Sequence, residues 1–191
     1  MNIIAIPAWN SLGLLPPVDP AAAPTGKARS PYPVSLKDLV MRFANSAERW
    51  HVMDGFLRYR AQLHTSGLVA GFQWLDGSFM EDVETLEQRA PNDIDVVTFV
   101  EVPAAFNPGP VALQLFDHDA AKASYKVDAY FVELNLLPPS QLTSWSAYWY
   151  SVWAHRRDQV WKGFLQVELA SNEDADAMAW LQQNRPTGVG P

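Results

Sequence analysis

The chain of 191 residues is 48% apolar and 18% charged, and its 14 Lys and Arg face 21 Asp and Glu for a formal charge of −7. That length suffices for one domain with a full core, and the acidic balance disfavours indiscriminate binding to DNA or RNA, which is driven by phosphate neutralisation. The absence of cysteine excludes disulfides, thiolate zinc sites, iron–sulfur clusters and cysteine nucleophiles. No apolar run approaches the roughly 20 residues of a membrane helix, and no basic region follows Met1, so a soluble, cytoplasmic protein without a secretory signal is expected.

Seven prolines between Pro7 and Pro33 forbid helix and central strand over residues 1–34. The short apolar clusters Ile3 to Ile6 and Leu12 to Leu15 predict an arm lying against the domain. From Ser35, a predicted N-cap, Leu36, Leu39, Val40 and Phe43 recur at helical spacing. A second helix is predicted from Ser46 to near Gly67, with Trp50, Met53, Phe56 and Leu57 on one side. After Gly67 the period becomes two, and Val69 to Asp76 predict a strand ending at Gly77. Ile94 to Val100 and Tyr125 to Leu134 are two further strands, separated by a Pro/Gly-rich turn and a helical piece around Leu113 to Phe116. Pro138 and Pro139 introduce a helix striped by Trp145, Tyr148, Trp149, Val152 and Trp153. Gly163 to Leu169 predict a last strand, Ser171 a cap for a helix to about Gln183, and residues 184–191 a frayed tail. The domain proper is therefore expected over 35–183.

The segment from Leu75 to Val97 carries the chemistry. A strand ends in Gly77-Ser78, an acidic connector follows, and the next strand opens with Asp93-Ile94-Asp95. Side chains alternate along a strand, so Asp93 and Asp95 share a face while Ile94 and Val96 turn into the core. Two carboxylates on one face repel unless a cation lies between them, and Mg²⁺ takes such oxygens together with phosphate. Asp128 sits in an otherwise mostly apolar strand, where a charge requires a partner or an open cleft. It is the candidate third acid of a two-metal arrangement. Gly77 permits close approach of a phosphate to the backbone, and Ser78 adds a hydroxyl and an amide.

Gly-Ser, a spacer, Asp-x-Asp on a strand and a lone Asp on a later strand resemble the signature of the DNA polymerase β nucleotidyltransferase superfamily, particularly its minimal bacterial members. GLLPP, WLDGSF, PNDIDVV, VDAYFVE and the late HRR…WKG resemble an uncharacterised bacterial family placed in that superfamily, so the likeness covers most of the chain. It implies an α+β, nucleotidyltransferase-like fold with a small mixed sheet packed by helices. It further implies that Asp93 and Asp95 bind Mg²⁺, with two ions possible, that Asp128 is a third ligand or general base, and that Gly77 and Ser78 hold the triphosphate of an NTP. The implied reaction moves an NMP group to a hydroxyl on a protein, a tRNA end or a small molecule, and toxin–antitoxin and phage-defence modules come with the superfamily. Phe79-Met80-Glu81-Asp82 follows Gly-Ser where minimal members place a basic residue, so phosphate charge must be met by Arg89, Lys126 or Lys162. The spacer from Ser78 to Asp93 is also longer than usual.

The acidic surface favours a protein or small-molecule acceptor over bulk nucleic acid. A competing class is a binding protein or antitoxin subunit that kept the fold without turnover and contacts a partner through its arm. A third is a metal-dependent nuclease. The aromatic stripe at helical spacing predicts core packing in place of base stacking. His155-Arg156-Arg157 reads as a solvated last turn of that helix, and the alternative reading has Arg157 and Lys162 reach a triphosphate. Asp117-His118-Asp119 reads as a surface loop. No HExxH, Walker A, GxSxG or GxGxxG motif occurs.

Overall fold

A five-stranded mixed sheet is sandwiched unequally, with four helices on one face and a single long helix on the other, in a computed structural model that describes residues 3–23, 25–187 and 189. The strands are β1 (Tyr32–Pro33), β2 (Gly71–Asp76), β3 (Ile94–Val100), β4 (Val127–Glu133) and β5 (Leu165–Glu168), in the order β1-β5-β2-β3-β4. β1 runs parallel to β5 and β3 parallel to β4, while β2 is antiparallel to both of its neighbours, β3 and β5. The helices are α1 (Leu36–Phe43), α2 (Ala47–Thr65), α3 (Val83–Glu87), α4 (Pro110–Leu113), α5 (His118–Tyr125), α6 (Pro139–Trp153) and α7 (Asp174–Gln183). The architecture is α+β with a small mixed sheet packed by helices. No described helix is long and apolar enough to cross a membrane.

Local chemistry explains most boundaries. Ser35 accepts from the Asp38 amide and Ser46 from the Arg49 amide, satisfying donors that α1 and α2 would otherwise leave open. Leu36, Leu39, Val40 and Phe43 form the buried stripe of α1. Alternation then divides the sheet. Leu75, Ile94, Val96, Val100, Val127, Leu165 and Val167 join α1, α2, α5 and α7 in one core, whereas Trp74, Val97, Phe99 and Val132 pack under Trp149 and Trp153 of α6. Gly55 lies in the middle of α2, where a Cβ would run into the carbonyl of Tyr125. Its missing side chain therefore sets how closely the end of α5 approaches.

The proline-rich arm is tied to the domain at several points. Leu14 and Leu15 are buried, Trp9 donates from Nε1 to the Met80 carbonyl at 2.8 Å, and the Gly163 amide donates to Leu15 O at 2.7 Å. Tyr32 and Pro33 form the edge strand, a position that tolerates proline.

Several expectations are corrected. The strand predicted from Val69 begins at Gly71, and that predicted from Tyr125 begins at Val127, because His118–Tyr125 is helical. The piece around Leu113 to Phe116 is displaced to Pro110–Leu113. Ser171 opens a three-residue 3-10 turn and does not cap α7, which has no side-chain cap. α6 ends at Trp153, before His155-Arg156-Arg157. The aromatic stripe is only partly core, since Trp149 and Trp153 are buried but Trp145, Tyr148 and Val152 are exposed. One helix on that face covers what its own width allows. In the predicted tail, Asn184 closes α7, and Gly188, Gly190 and Pro191 lie outside the described residues.

Candidate active site

Strand register places the acids. β2 pairs Asp76 with Asp95 of β3, and β3 pairs Asp95 with Asp128 of β4, so three carboxylates form a row across adjacent strands. Directly paired residues share a face, here the face of α6. Asp93, just before β3, joins them as a lining residue of a cleft of about 750 Å³. Gly77, Ser78, Tyr130, Tyr148, Trp149, Arg157 and Lys162 also line it.

Like charge and burial set the electrostatics. Asp95 is pushed up to about 7, by burial first and then by the neighbouring Asp76, Asp128 and Asp93 carboxylates. Asp76 rises to about 6, mainly by burial, which the Lys162 ammonium only partly offsets. Lys162 is itself buried, with Nζ 2.8 Å from Asp76 Oδ1 and 3.0 Å from Glu81 Oε1. Burial pulls its ammonium down, but Asp76 and Glu81 outweigh that and hold it above the usual lysine range. Lys162 thus reaches the site as expected, already engaged by two carboxylates.

The turn after β2 needs glycine. Gly77 has φ +87°, and a Cβ there would lie 2.8 Å from Asp95 Oδ2. Ser78 then starts only a three-residue 3-10 turn, Ser78–Met80. The long spacer is ordered by neighbours. Arg49 of α2, buried, donates to the carbonyls of Phe79 and Glu81 at 2.6 Å each and pairs with Glu84, while the Asp82 amide donates to Gly13 O at 2.9 Å.

A second set of side chains comes from α5, whose start, at Asp117-His118-Asp119, reads in the sequence as a surface loop. Asp117 caps this helix by accepting from the Ala120 amide. Lys122 Nζ lies 2.6 Å from Asp93 Oδ2 and 3.7 Å from Asp128 Oδ2, which keeps those two carboxylates within the sum of these distances. His118 Nδ1 is 2.9 Å from Asp128 Oδ1, yet that buried oxygen has no partner in hydrogen-bond geometry. Asp128 is therefore flanked by His118, Lys122 and Tyr130, and burial first, then the charge and hydrogen bonding of Asp128, push the Tyr130 hydroxyl up.

Among the described residues, no three His, Asp or Glu side chains are already drawn together as a metal-binding set. With Lys122 beside Asp93 and Asp128, the cluster is closed by an ammonium. The chemistry of the donors still fits a hard cation: the ligand atoms are carboxylate oxygens, and at Asp95 their mutual repulsion outweighs the relief that Lys162 gives.

Of the expected residues, Asp93, Asp95, Asp128, Gly77, Ser78 and Lys162 all line one cleft. Of the cations expected to meet phosphate, Arg89 is there but paired with Glu87, and Lys126 is not among the lining residues. Sequence reasoning missed Asp76, Glu81, Lys122 and Arg156. Arg156 pairs with Glu87 at 2.6 Å and approaches Glu81 at 3.5 Å. Asp76 alone had a usable signal, an acid ending an apolar strand directly before Gly-Ser.

No curated protein and no solved structure matches the chain. One family model does, over residues 7–168, and the chain belongs to that family, described as a family of unknown function (DUF6932).

Proposed function

We propose that the chain is a Mg²⁺-dependent nucleotidyltransferase with an NTP as donor and a protein or small-molecule hydroxyl as acceptor. The observation that carries this reading is the carboxylate row Asp76, Asp95 and Asp128 in strand register, flanked by Asp93 and followed at once by the Gly77-Ser78 turn. Asp93, Asp95 and Asp128 are the residues suited to hold Mg²⁺, which when bound neutralises phosphate charge and makes a hydroxyl more acidic.

The overall step is attack of the acceptor oxygen on the α-phosphorus, cleavage of the α–β P–O bond and departure of pyrophosphate. Asp128, on the cleft wall, is placed to take the hydroxyl proton. Gly77 brings backbone close to the phosphates because no Cβ intervenes, and Ser78 donates its hydroxyl. Lys162 orients Asp76 and Glu81 by direct bonds. The protein's contribution is chiefly positioning and charge balance, as in phosphoryl transfer generally.

A second reading is a nucleotidyltransferase-fold binding protein or antitoxin subunit without turnover. It is favoured by one observation, that Lys122 and Lys162 already compensate the acids. Mass spectrometry after incubation with each NTP, Mg²⁺ and candidate acceptors separates the two. Addition of one nucleoside monophosphate, lost in Asp93→Ala, supports transfer. The absence of both an adduct and nucleotide binding by calorimetry supports the second reading.

A further inference from the structure

The turn after Gly77-Ser78 offers no basic side chain, so the phosphate charge required by the proposed reading must be met from elsewhere in the cleft. Five cations line it: Arg89, Lys122, Arg156, Arg157 and Lys162. Lys162 is buried between Asp76 and Glu81. Arg89 and Arg156 both pair with Glu87. Among the described residues Arg157 makes no ion pair, and it stands exposed on the rim. Lys122 differs from the others in what holds it, because its partners are Asp93 and Asp128, two of the acids assigned to the divalent cation.

We infer that Lys122 is a resident counter-ion that occupies the acid cluster until a divalent cation arrives, and is then released to bind the phosphates of the nucleotide. The inference rests on the reading given under Proposed function and identifies the missing basic group with a residue of α5. Three observations support it. The ammonium lies within 2.6 Å of one carboxylate and 3.7 Å of the other, close to both acids at once. The side chain is 46% exposed, so its four-carbon stem has room to swing while its head exchanges one anionic partner for another. The backbone beneath it is fixed, by the Asp117 cap, by buried Ala121 and by the approach of Tyr125 to Gly55. A doubly charged ion competes with a monovalent ammonium for the same oxygens, and a freed lysine is a compact point charge suited to phosphate.

The test uses Mn²⁺ as the probe, titrated calorimetrically into the full chain and into Lys122→Met and Lys122→Arg. An ion pair of this exposure corresponds to about a three- to fivefold change in affinity. Lys122→Met is therefore expected to bind Mn²⁺ tighter by about that factor, and Lys122→Arg to bind it as the wild type does. A non-hydrolysable NTP analogue added with Mn²⁺ should bind Lys122→Met more weakly by about the same factor, with affinity kept in Lys122→Arg. Without divalent ion, Lys122→Met should melt below the wild type, and millimolar Mn²⁺ should bring it back.

Mn²⁺ affinity equal in all three chains overturns the counter-ion role while leaving the carboxylate reading intact. Tighter Mn²⁺ with unchanged analogue affinity overturns the phosphate role. No Mn²⁺ binding by any chain removes the carboxylate reading and the inference together. Should Lys122→Met fold poorly, Lys122→Gln carries the same expectations.

Discussion

The two faces of the sheet handle buried charge in opposite ways. On the face covered by α1, α2 and α7, Arg60 is fully buried and fully answered: it bonds Asp174 at 2.7 and 2.9 Å and Gln73 at 2.6 Å, and Gln73 continues to Thr98. Arg49 is likewise matched, by Glu84 and two carbonyls. On the face of α6, Asp76, Asp95 and Asp128 stand side by side, and Asp95 is pushed up to about 7 by burial first and then by its neighbouring carboxylates. Charge matched one to one serves the fold. Like charge gathered in a cleft costs stability and is retained where a ligand will relieve it.

The contrast is broken most strongly by removing acids. Asp93→Ala, Asp95→Asn or Asp128→Asn should lower the proposed nucleotidyl transfer by about 1,000-fold or more, while circular dichroism and melting show an intact fold. The matched face should respond in the reverse sense. Arg60→Met strands Asp174 and Gln73 and should destabilise by roughly 3 kcal/mol in urea unfolding, with the residual folded protein keeping the proposed nucleotide binding.

The sign of the pH effect sharpens the comparison further. Asp95 titrates near 7 in the folded chain and near 3.8 at its ordinary value, so between those values the folded state holds the proton that the unfolded state has lost. Its contribution to stability is complete below about pH 4 and is lost as pH rises through 7, and Asp76 adds in the same direction up to about 6. Without divalent ions, the wild type should lose on the order of 2 kcal/mol more than Asp95→Asn between pH 5 and 8. A pH profile identical in the two chains would contradict the like-charge account. The smallest effect is expected at Tyr148, which is 52% exposed on the cleft wall. Tyr148→Ala should change stability by less than about 0.5 kcal/mol, whereas Trp149→Ala, on the next position of the same helix but buried, should cost about 3 kcal/mol.

The legibility of the chain followed from how local each signal was. β3 was readable to its end residues because all of Ile94 to Val100 but Asp95 are β-branched or apolar, and α1 and α2 were readable from Ser35 and Ser46 with their apolar spacing. α5 was not, because it is short, rich in alanine, and buries only Ala121, leaving almost no periodic signal. The aromatic stripe of α6 was found as a stripe but misjudged as core throughout. Period shows which residues share a face, and only the number of layers above that face decides whether it is covered.

By itself, then, the sequence determined the existence of β2 to β5, the capped helices α1 and α2, and the shared face of Asp93 and Asp95, because each depends on neighbours within a few positions. The tertiary structure alone decided that β2 lies antiparallel beside β3, and that register brought Asp76 opposite Asp95. It also decided that Lys162 sits between Asp76 and Glu81, and that Lys122 reaches Asp93 from a different element. Those pairings join residues up to 86 positions apart, and at such separations the partner of a charge is set by strand order and helix packing, which no local pattern encodes.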